Sequence, residues 1–331
     1  MPNKMRITFT LQRYNPETDP HPCDEDYRLE VGRGATILES LIRIRNEQDG
    51  TLALRYSCRS AICGSCAMTI NGQPKLACRT GVRKELERHG QIRIRPLQNL
   101  PMIKDLVVDM SSFWNKIQAV TPWLTTATAG GAEGGSTQTQ LVLTPGAYQF
   151  HNVDACIMCS ACVAACTSHE VSKGFLGPAA LAKADRFLSD PRESDRAKYA
   201  RLKTLEQPDG MWDCTRCNYC VEVCPKDVKP MEAIVRLRRS AIEAGLTDTG
   251  GARHIIGFTD IVRHEGRLNE AVMPLKVVGF NLKRLLHVLP LGLKMLVKGK
   301  VPNPLTPPIR GIEQVRAIFA ARRRAKNARL T

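Results

Sequence analysis

Twelve of the chain's thirteen cysteines fall into three tight groups, and only Cys23 stands apart. Clustered thiols pin the backbone around whatever they hold, so they limit the available folds more than any hydrophobic pattern in this sequence. Aromatic residues make up only 5% of the chain, too few for a core built on large rings. The cysteine groups are therefore expected to share the structural holding. The opening MPNKMRITFT has neither the apolar core nor the small-residue cleavage site of a secretory signal. No stretch reaches the roughly 18 uncharged apolar residues of a membrane span. The expectation is a reducing, cytoplasmic setting, where dense cysteine indicates metal more often than disulfides. At 331 residues the chain is long enough for two domains.

The first group runs Cys58-x4-Cys63-x2-Cys66 and is completed by Cys78. That is plant-type [2Fe–2S] spacing, in which a loop wraps the cluster and the fourth thiolate arrives from a neighbouring strand. Small residues (Ser60, Ala61, Gly64, Ser65) let backbone amides approach the sulfur atoms. Zinc sites favour paired C-x2–4-C knuckles, which this loop does not provide. The second and third groups share one spacing, Cys156-x2-Cys159-x2-Cys162-x3-Cys166 and Cys214-x2-Cys217-x2-Cys220-x3-Cys224-Pro225. In a bacterial two-cluster ferredoxin the fourth cysteine of each such run serves the other cluster. One [4Fe–4S] cluster is thus expected on Cys156, Cys159, Cys162 and Cys224, and the other on Cys166, Cys214, Cys217 and Cys220. Zinc is the competing reading, disfavoured by the repeated x2-x2-x3 pattern. No histidine joins these groups at metal spacing, so no Rieske centre is expected, and His169 reads as a polar loop residue. Cys23 reads as a free thiol in a turn-rich loop. The pairs Gly130-Gly131 and Gly134-Gly135 lack the strand-to-helix setting of a phosphate loop. No acid–base pair or nucleophile stands out, so no catalytic residue is assigned.

Met5–Leu11 and Tyr27–Val31 alternate at period two and predict strands, with turn residues over Asn15–Asp26. Thr36 with Glu39 forms a capping-box signature for a helix carrying Ile37, Leu38, Leu41, Ile42 and Ile44, closed by Asp49-Gly50. Gln91–Arg95 predicts a further strand. The spacing of Ile103, Leu106, Val107 and Met110 predicts a helix over Met102–Trp114. Thr125–Ser136 has no hydrophobic period and reads as a flexible linker. The fold class expected is α+β: a β-grasp plant-type [2Fe–2S] ferredoxin domain at residues 1–106 and a connecting helix and linker at 107–140. An all-α bacterial-ferredoxin-like domain follows at 141–250, then a basic helical extension at 251–331.

Beyond the cysteines, Arg13–Glu17, Leu54–Arg59, Cys63–Met68 and Leu76–Cys78 carry a more specific likeness. Lys104–Asp109, matching an inter-domain helix, and Phe175–Leu181, matching a helix of the second domain, add to it. Over about residues 5 to 245 the chain resembles the iron–sulfur subunits of succinate:quinone oxidoreductases, including fumarate reductases. The resemblance implies a FAD-containing flavoprotein partner acting on succinate or fumarate. It also implies a membrane anchor linked to the quinone pool, and a peripheral position on the cytoplasmic face of the membrane. It further implies electron flow from flavin to the [2Fe–2S] cluster, then to the Cys156 cluster, then to the Cys214 cluster. Nearby Arg55, Arg59, Arg79 and Lys226 would favour the reduced clusters.

Three departures qualify the resemblance. Many members carry a non-cysteine residue at the position of Cys217 and a [3Fe–4S] cluster there; with Cys217 present, [4Fe–4S] is expected and [3Fe–4S] is the alternative. The family's quinone-contacting loop, Cys-Pro-Ser followed by tryptophan, is replaced by Cys166–Val171, and a common histidine by Thr215. The chain also continues past the family's usual end, where Phe258–Arg263 and Gly266–Glu270 resemble subunits of heterodisulfide-reductase-type systems. Together these suggest the unconventional branch whose anchor is heterodisulfide-reductase-like. The alternative function is service to another flavin dehydrogenase, acting on glycolate or glycerol 3-phosphate, or to a thiol-linked fumarate reductase.

The net charge of +16 is concentrated in the tail: Ala271–Thr331 holds thirteen Lys/Arg against the single acid Glu313. Leucines interleaved with Lys283, Arg284, Lys294 and Lys298, and interrupted by Pro290, form an amphipathic pattern suited to an anionic membrane surface or a groove of the anchor. A solvated, frayed end is the plainer reading of the last ten residues. Nucleic acid ranks last, because aromatic residues to stack on bases are missing.

Overall fold

The computed structural model describes residues 4–125, 151–279, 282–300, 303 and 307–327. Two compact units emerge, Met1–Ala241 and Ile242–Thr331. The Gly/Ser-rich stretch 126–136, which carries the expected linker, lies outside the described residues.

The first unit begins with a five-stranded mixed sheet in the order β2-β1-β5-β3-β4. β1 (Lys4–Arg13) pairs antiparallel with β2 (Cys23–Gly32) and parallel with β5 (Ile92–Arg95). β3 (Ala67–Ile70) pairs antiparallel with both β5 and β4 (Gln73–Leu76). Alternation sends Ile7, Phe9 and Leu11 of β1 and Ile92 and Ile94 of β5 to one buried face. α1 (Ile37–Glu47) covers that face with Ile37, Leu38, Leu41 and Ile44, all essentially fully buried. It starts where Thr36 accepts the Glu39 amide at 3.2 Å. α2 (Val82–His89) closes against the sheet and ends at Gly90 in the left-handed conformation. Cys23 is the exposed first residue of β2, opposite Arg13, rather than part of a loop.

The helix expected over Met102–Trp114 is corrected. β6 (Met102–Lys104) and β7 (Val107–Val108) form an antiparallel hairpin, and α3 (Ser111–Ala119) starts only afterwards. The expected inter-domain helix over Lys104–Asp109 is thus a turn and a strand. Asp105 is the cause: it sits at φ +45°, outside the helical region. Its buried carboxylate accepts from the amides of Tyr14 and Ala53, both at 2.8 Å, and from Arg13 at 3.1 Å. Those three bonds offset the backbone strain and pull the apolar residues into a hairpin.

The remainder of the first unit is helical. α4 (Ala161–Ala164), α5 (Thr167–Val171) and α8 (Tyr219–Glu222) are short and belong to the cysteine runs. α6 (Pro178–Leu188) starts at a proline and buries a run of small residues, Ala179, Ala180, Ala182 and Ala184, which allow close approach. α7 (Asp195–Leu205) and α9 (Pro230–Glu243) complete this part. Buried acids here are paired: Asp185 with Arg236 at 2.6 Å, and Asp190 with Arg186 and Arg192 at 2.6 and 2.7 Å.

In the second unit, α10 (Gly250–Glu265) is capped by Thr249, which accepts the Ala252 amide, and ends at left-handed Gly266. α11 (Met273–Val278) and α13 (Ile312–Asn327) pack on α10. α12 (Leu282–Val297) continues through Pro290, where the sequence pattern predicted an interruption. The end expected to fray is helical as far as Asn327.

Candidate metal centres

The loop between α1 and β3 carries the first cysteines. Arg59, Ala61 and Gly64 take positive φ values of 57°, 56° and 75°, which fold the loop over itself. As a result the amides of Ser60, Ile62 and Cys63 all aim at the Cys58 sulfur at 3.3 Å, and the Ala61 amide reaches the Cys78 sulfur at 3.3 Å. Such amides stabilise negative charge on sulfur. The Ser65 hydroxyl, with backbone amides, brings the exposed Cys63 thiol down to about 6. Burial pushes Cys66 up to about 12, next to Cys78 and Cys63.

The two later runs share one backbone. Met158 and Ser160 in the first, and Arg216 and Asn218 in the second, occupy equivalent positions at φ 54°, 63°, 60° and 75°. Four non-glycine residues in this region are strained, and the same strain at matching places points to a common requirement. Each run then makes one short helix, α4 or α8, before its last cysteine. Cys156, Cys159, Cys162 and Cys224 line one cavity, walled by Ala179, Ala182, Val228 and Pro230. Burial pushes Cys159 up to about 11, reinforced by Cys156 and Cys224. Burial raises Cys162 further, with Cys159, Cys156, Cys220 and Cys224 all nearby. Burial also raises Cys166, beside Cys214 and Cys217. It pushes Cys220 up to about 12, beside Cys214, Cys166 and Cys217. Burial acts upward on Cys217 too, but the Thr167 hydroxyl at 3.5 Å and the Tyr219 amide outweigh it and leave this thiol below its usual value.

Buried thiols that repel each other's charge are poor places for thiolates unless a cationic core sits among them. The donor sets therefore suit iron–sulfur clusters. Tetrahedral zinc would draw four sulfurs to within about 4 Å of one another. Among the described residues no His, Cys, Asp or Glu group converges as a single-ion site requires.

The three sets are adjacent. Gly64 lies so close to the second set that a Cβ there would meet the Cys159 Cβ and the Ile157 carbonyl at 2.9 Å. Arg79, next to Cys78, donates to the carbonyl of Pro225, next to Cys224, at 3.0 Å. Cys162 senses Cys220 of the third set.

Comparison with known proteins agrees with this layout. Residues 8–115 match the model of a 2Fe-2S iron-sulfur cluster binding domain, and residues 152–228 that of a 4Fe-4S dicluster domain. The fumarate reductase iron-sulfur subunit of Mycobacterium tuberculosis is 40% identical over 237 residues, 71% of this chain and 93% of its own. The corresponding subunit of Haemophilus influenzae is 38% identical, covering 71% and 92%. The succinate dehydrogenase iron-sulfur subunit of Paracoccus denitrificans is 36% identical, covering 71% and 88%. This chain belongs to the family of succinate dehydrogenase and fumarate reductase iron–sulfur subunits. A chain of the Mycobacterium smegmatis Sdh1 complex in the apo form shares the fold, with a TM-score of 0.63 and 23% identity over 74% of this chain and 99% of its own.

This iron–sulfur subunit supports its cysteine runs with residues that motif reading did not find. Asn99, at φ 65°, donates to the carbonyls of Val163, Ala164 and Cys166 at 3.1–3.2 Å. Buried Arg238 on α9 donates to the carbonyls of Met211, Trp212 and Cys214 at 2.7–3.0 Å. Asn152 holds the carbonyls of Lys226 and Asp227 at 2.8 and 2.9 Å. Each is an ordinary polar residue in the sequence, and only the fold brings it to a run. Of the expected basic neighbours, Arg55 is bound to the Val108 carbonyl at 2.9 Å and Arg59 stacks on Tyr56.

His169 is corrected as well. It is 3% exposed within α5, not a polar loop residue. Its Nε2 lies 2.9 Å from Lys116 Nζ, which also donates to the Phe175 carbonyl at 2.8 Å. Burial, with the charges of Lys116 and Lys173, brings His169 down to about 4, so the ring is neutral at pH 7. In the same segment the Ser168 hydroxyl and the Thr215 amide meet at 3.3 Å.

Proposed function

We propose that this subunit carries electrons between a FAD-containing subunit acting on succinate or fumarate and a quinone-linked membrane anchor. The arrangement of the cysteines supports this reading: the second four-thiol set closely adjoins the first loop at Gly64, and its Cys162 lies within electrostatic reach of Cys220, within one compact unit. The first set, Cys58, Cys63, Cys66 and Cys78, would hold a [2Fe–2S] cluster. Cys156, Cys159, Cys162 and Cys224 would hold a [4Fe–4S] cluster, and Cys166, Cys214, Cys217 and Cys220 a second. The five-stranded sheet with α1 across it supports a β-grasp description of the first domain. When bound, such clusters supply one-electron relays whose potentials depend on charge, hydrogen bonds and burial.

The chain's own residues set those conditions. Backbone amides aimed at Cys58 and Cys78 favour negative charge on sulfur. Burial of Cys66, Cys166 and Cys220 limits the access of water to the inner thiols. Asn99 and Arg238 fix the backbone of the two later runs. Cys217, a thiol beside Cys220 where many relatives carry another residue, supports a complete [4Fe–4S] cluster over a [3Fe–4S] cluster. That ligand, the replaced quinone loop and the extension beyond the ferredoxin-type domains together support an anchor of heterodisulfide-reductase-like type. A peripheral place at the cytoplasmic face is the corresponding location. No helix among the described residues is long and apolar enough to cross a membrane.

Low-temperature EPR with iron and sulfide analysis, on anaerobically purified protein, tests the reading. A silent oxidised state, three reducible centres and about ten irons per chain are expected. Protein that binds zinc without sulfide would overturn it. A sharp signal in the intact oxidised protein would replace the third cluster by [3Fe–4S] and remove Cys217 from the ligands.

A further inference from the structure

The residues after α9 take no part in the cysteine sets, and their surface chemistry differs from the rest of the chain. On the 3.6-residue period, Leu286, Leu289, Leu293, Leu296 and Val297 share one side of α12. They are exposed by 57, 49, 53, 63 and 86%, so this aliphatic row faces solvent along most of the helix. His287 and Lys294 lie away from that row, with Leu291 and Met295 departing from the division. A single exposed leucine needs no account, but a continuous row of this kind marks a binding surface.

A second observation points the same way. Between α10 and α13, Arg263, His264, Arg316, Arg323 and Arg324 line a pocket with Phe319 at its side. Arg316 is paired with Glu313 at 2.9 Å. His264 is paired with Asp260 at 3.3 Å, and the same carboxylate acts on Arg263, whereas Arg323 and Arg324 have no ion pair among the described residues. Five basic groups that share two carboxylates leave an excess of positive charge, which favours an anion between them.

We propose that this extension places the subunit directly on the surface of an anionic lipid bilayer. α12 lies in the interfacial plane, with its leucine row against the acyl chains, and the arginine pocket receives a lipid phosphate. At 16 residues α12 is about 24 Å long, too short to span the hydrocarbon core but suited to lie along it. The row is purely aliphatic, whereas the energetic centres of protein interfaces are enriched in Trp, Tyr and Arg. From Ala271 to Thr331, thirteen Lys/Arg against one acid complement an anionic leaflet, and an apolar face combined with basic residues is the mark of an in-plane helix. This contact is independent of the identity of the flavin partner.

The test is flotation of the purified full chain with protein-free vesicles, of phosphatidylcholine alone and with about 30% phosphatidylglycerol to supply negative surface charge. The anionic vesicles are expected to bind at least about tenfold more tightly. Leu289→Gln with Leu293→Gln should weaken that binding about tenfold or more, with the visible absorbance of the protein unchanged. Arg323→Gln with Arg324→Gln should weaken binding to anionic vesicles by about fivefold per arginine and leave binding to phosphatidylcholine as it was. Absence of flotation overturns the proposal and leaves the leucine row to a protein groove. Flotation that is indifferent to the leucine pair and abolished by high salt also overturns it, as mere adsorption of charge. Release by inorganic phosphate at constant ionic strength would assign the pocket to a free anion instead.

Discussion

Gly64 joins the first cysteine loop to the second set, and substituting it by alanine separates two physical effects. The residue sits at φ +75°, where an L side chain costs about 1–2 kcal/mol. Its new Cβ would also meet the Cys159 Cβ and the Ile157 carbonyl at 2.9 Å, closer than real contacts allow. Neither neighbour is the free end of a flexible side chain, so backbone has to move, and overpacking of this kind adds about 1–3 kcal/mol. Gly72 supplies the control: it has φ +80° and nothing within 4 Å of its Cβ position. Gly72→Ala should therefore lose about 1–2 kcal/mol, and Gly64→Ala about 2–5 kcal/mol. At about 2–4 °C per kcal/mol for a unit of this size, anaerobic thermal unfolding should show Gly64→Ala melting clearly below Gly72→Ala. Iron content should fall in Gly64→Ala and hold in Gly72→Ala, because only the former displaces Cys159. Equal melting temperatures, with equal iron, would refute the close approach of loop and run.

Three further substitutions test the supports. Arg238→Met leaves three inner carbonyls without their donor and should cost about 3–5 kcal/mol, with iron lost first from the Cys214 set; full iron and an unchanged melting temperature would sink the clamp. Asn99→Ala removes three bonds to the first run and should cost about 1–3 kcal/mol, read by chemical denaturation; no change would mean that solvent replaces the amide. Hydrogen bonds from Arg192, aided by Arg186, hold the Asp190 carboxyl well below the usual carboxylate range. Its stabilisation is complete above the unfolded value near 3.8 and is lost as pH falls through the lower folded value. Asp190→Asn should thus cost about 3 kcal/mol at pH 7 and narrow its deficit in strong acid; a deficit independent of pH would refute the ion-pair account.

The cysteine spacings and the period-two strands made the two ferredoxin-type parts legible, because they are local patterns. The hairpin at Met102–Val108 was not legible, since apolar spacing suits a helix equally well. What decided it was one carboxylate, Asp105, bonded to residues some 50 and 90 positions away. The supports were hidden for the same reason. Arg238 and Asn99 act on carbonyl groups, which leave no trace in the side-chain pattern of their partners. His169 lay three residues from Cys166 in plain view, but its partner, Lys116, comes from a distant helix.

On the ligand sets proposed above, the exchange of last cysteines between the two later runs would also govern biogenesis. The thiols of Cys156, Cys159 and Cys162 stand ready early in synthesis, but their fourth companion, Cys224, leaves the ribosome only after the whole second run. The second run in turn depends on Cys166, made well before it. Neither set would then be complete without both runs, so a nascent or truncated chain would lack a full set of thiols at either place. Iron delivery to the later runs would wait for a nearly finished chain, and a lesion in one run would expose both sets to loss. Quality control of such a subunit reduces to a single question, whether both runs have met.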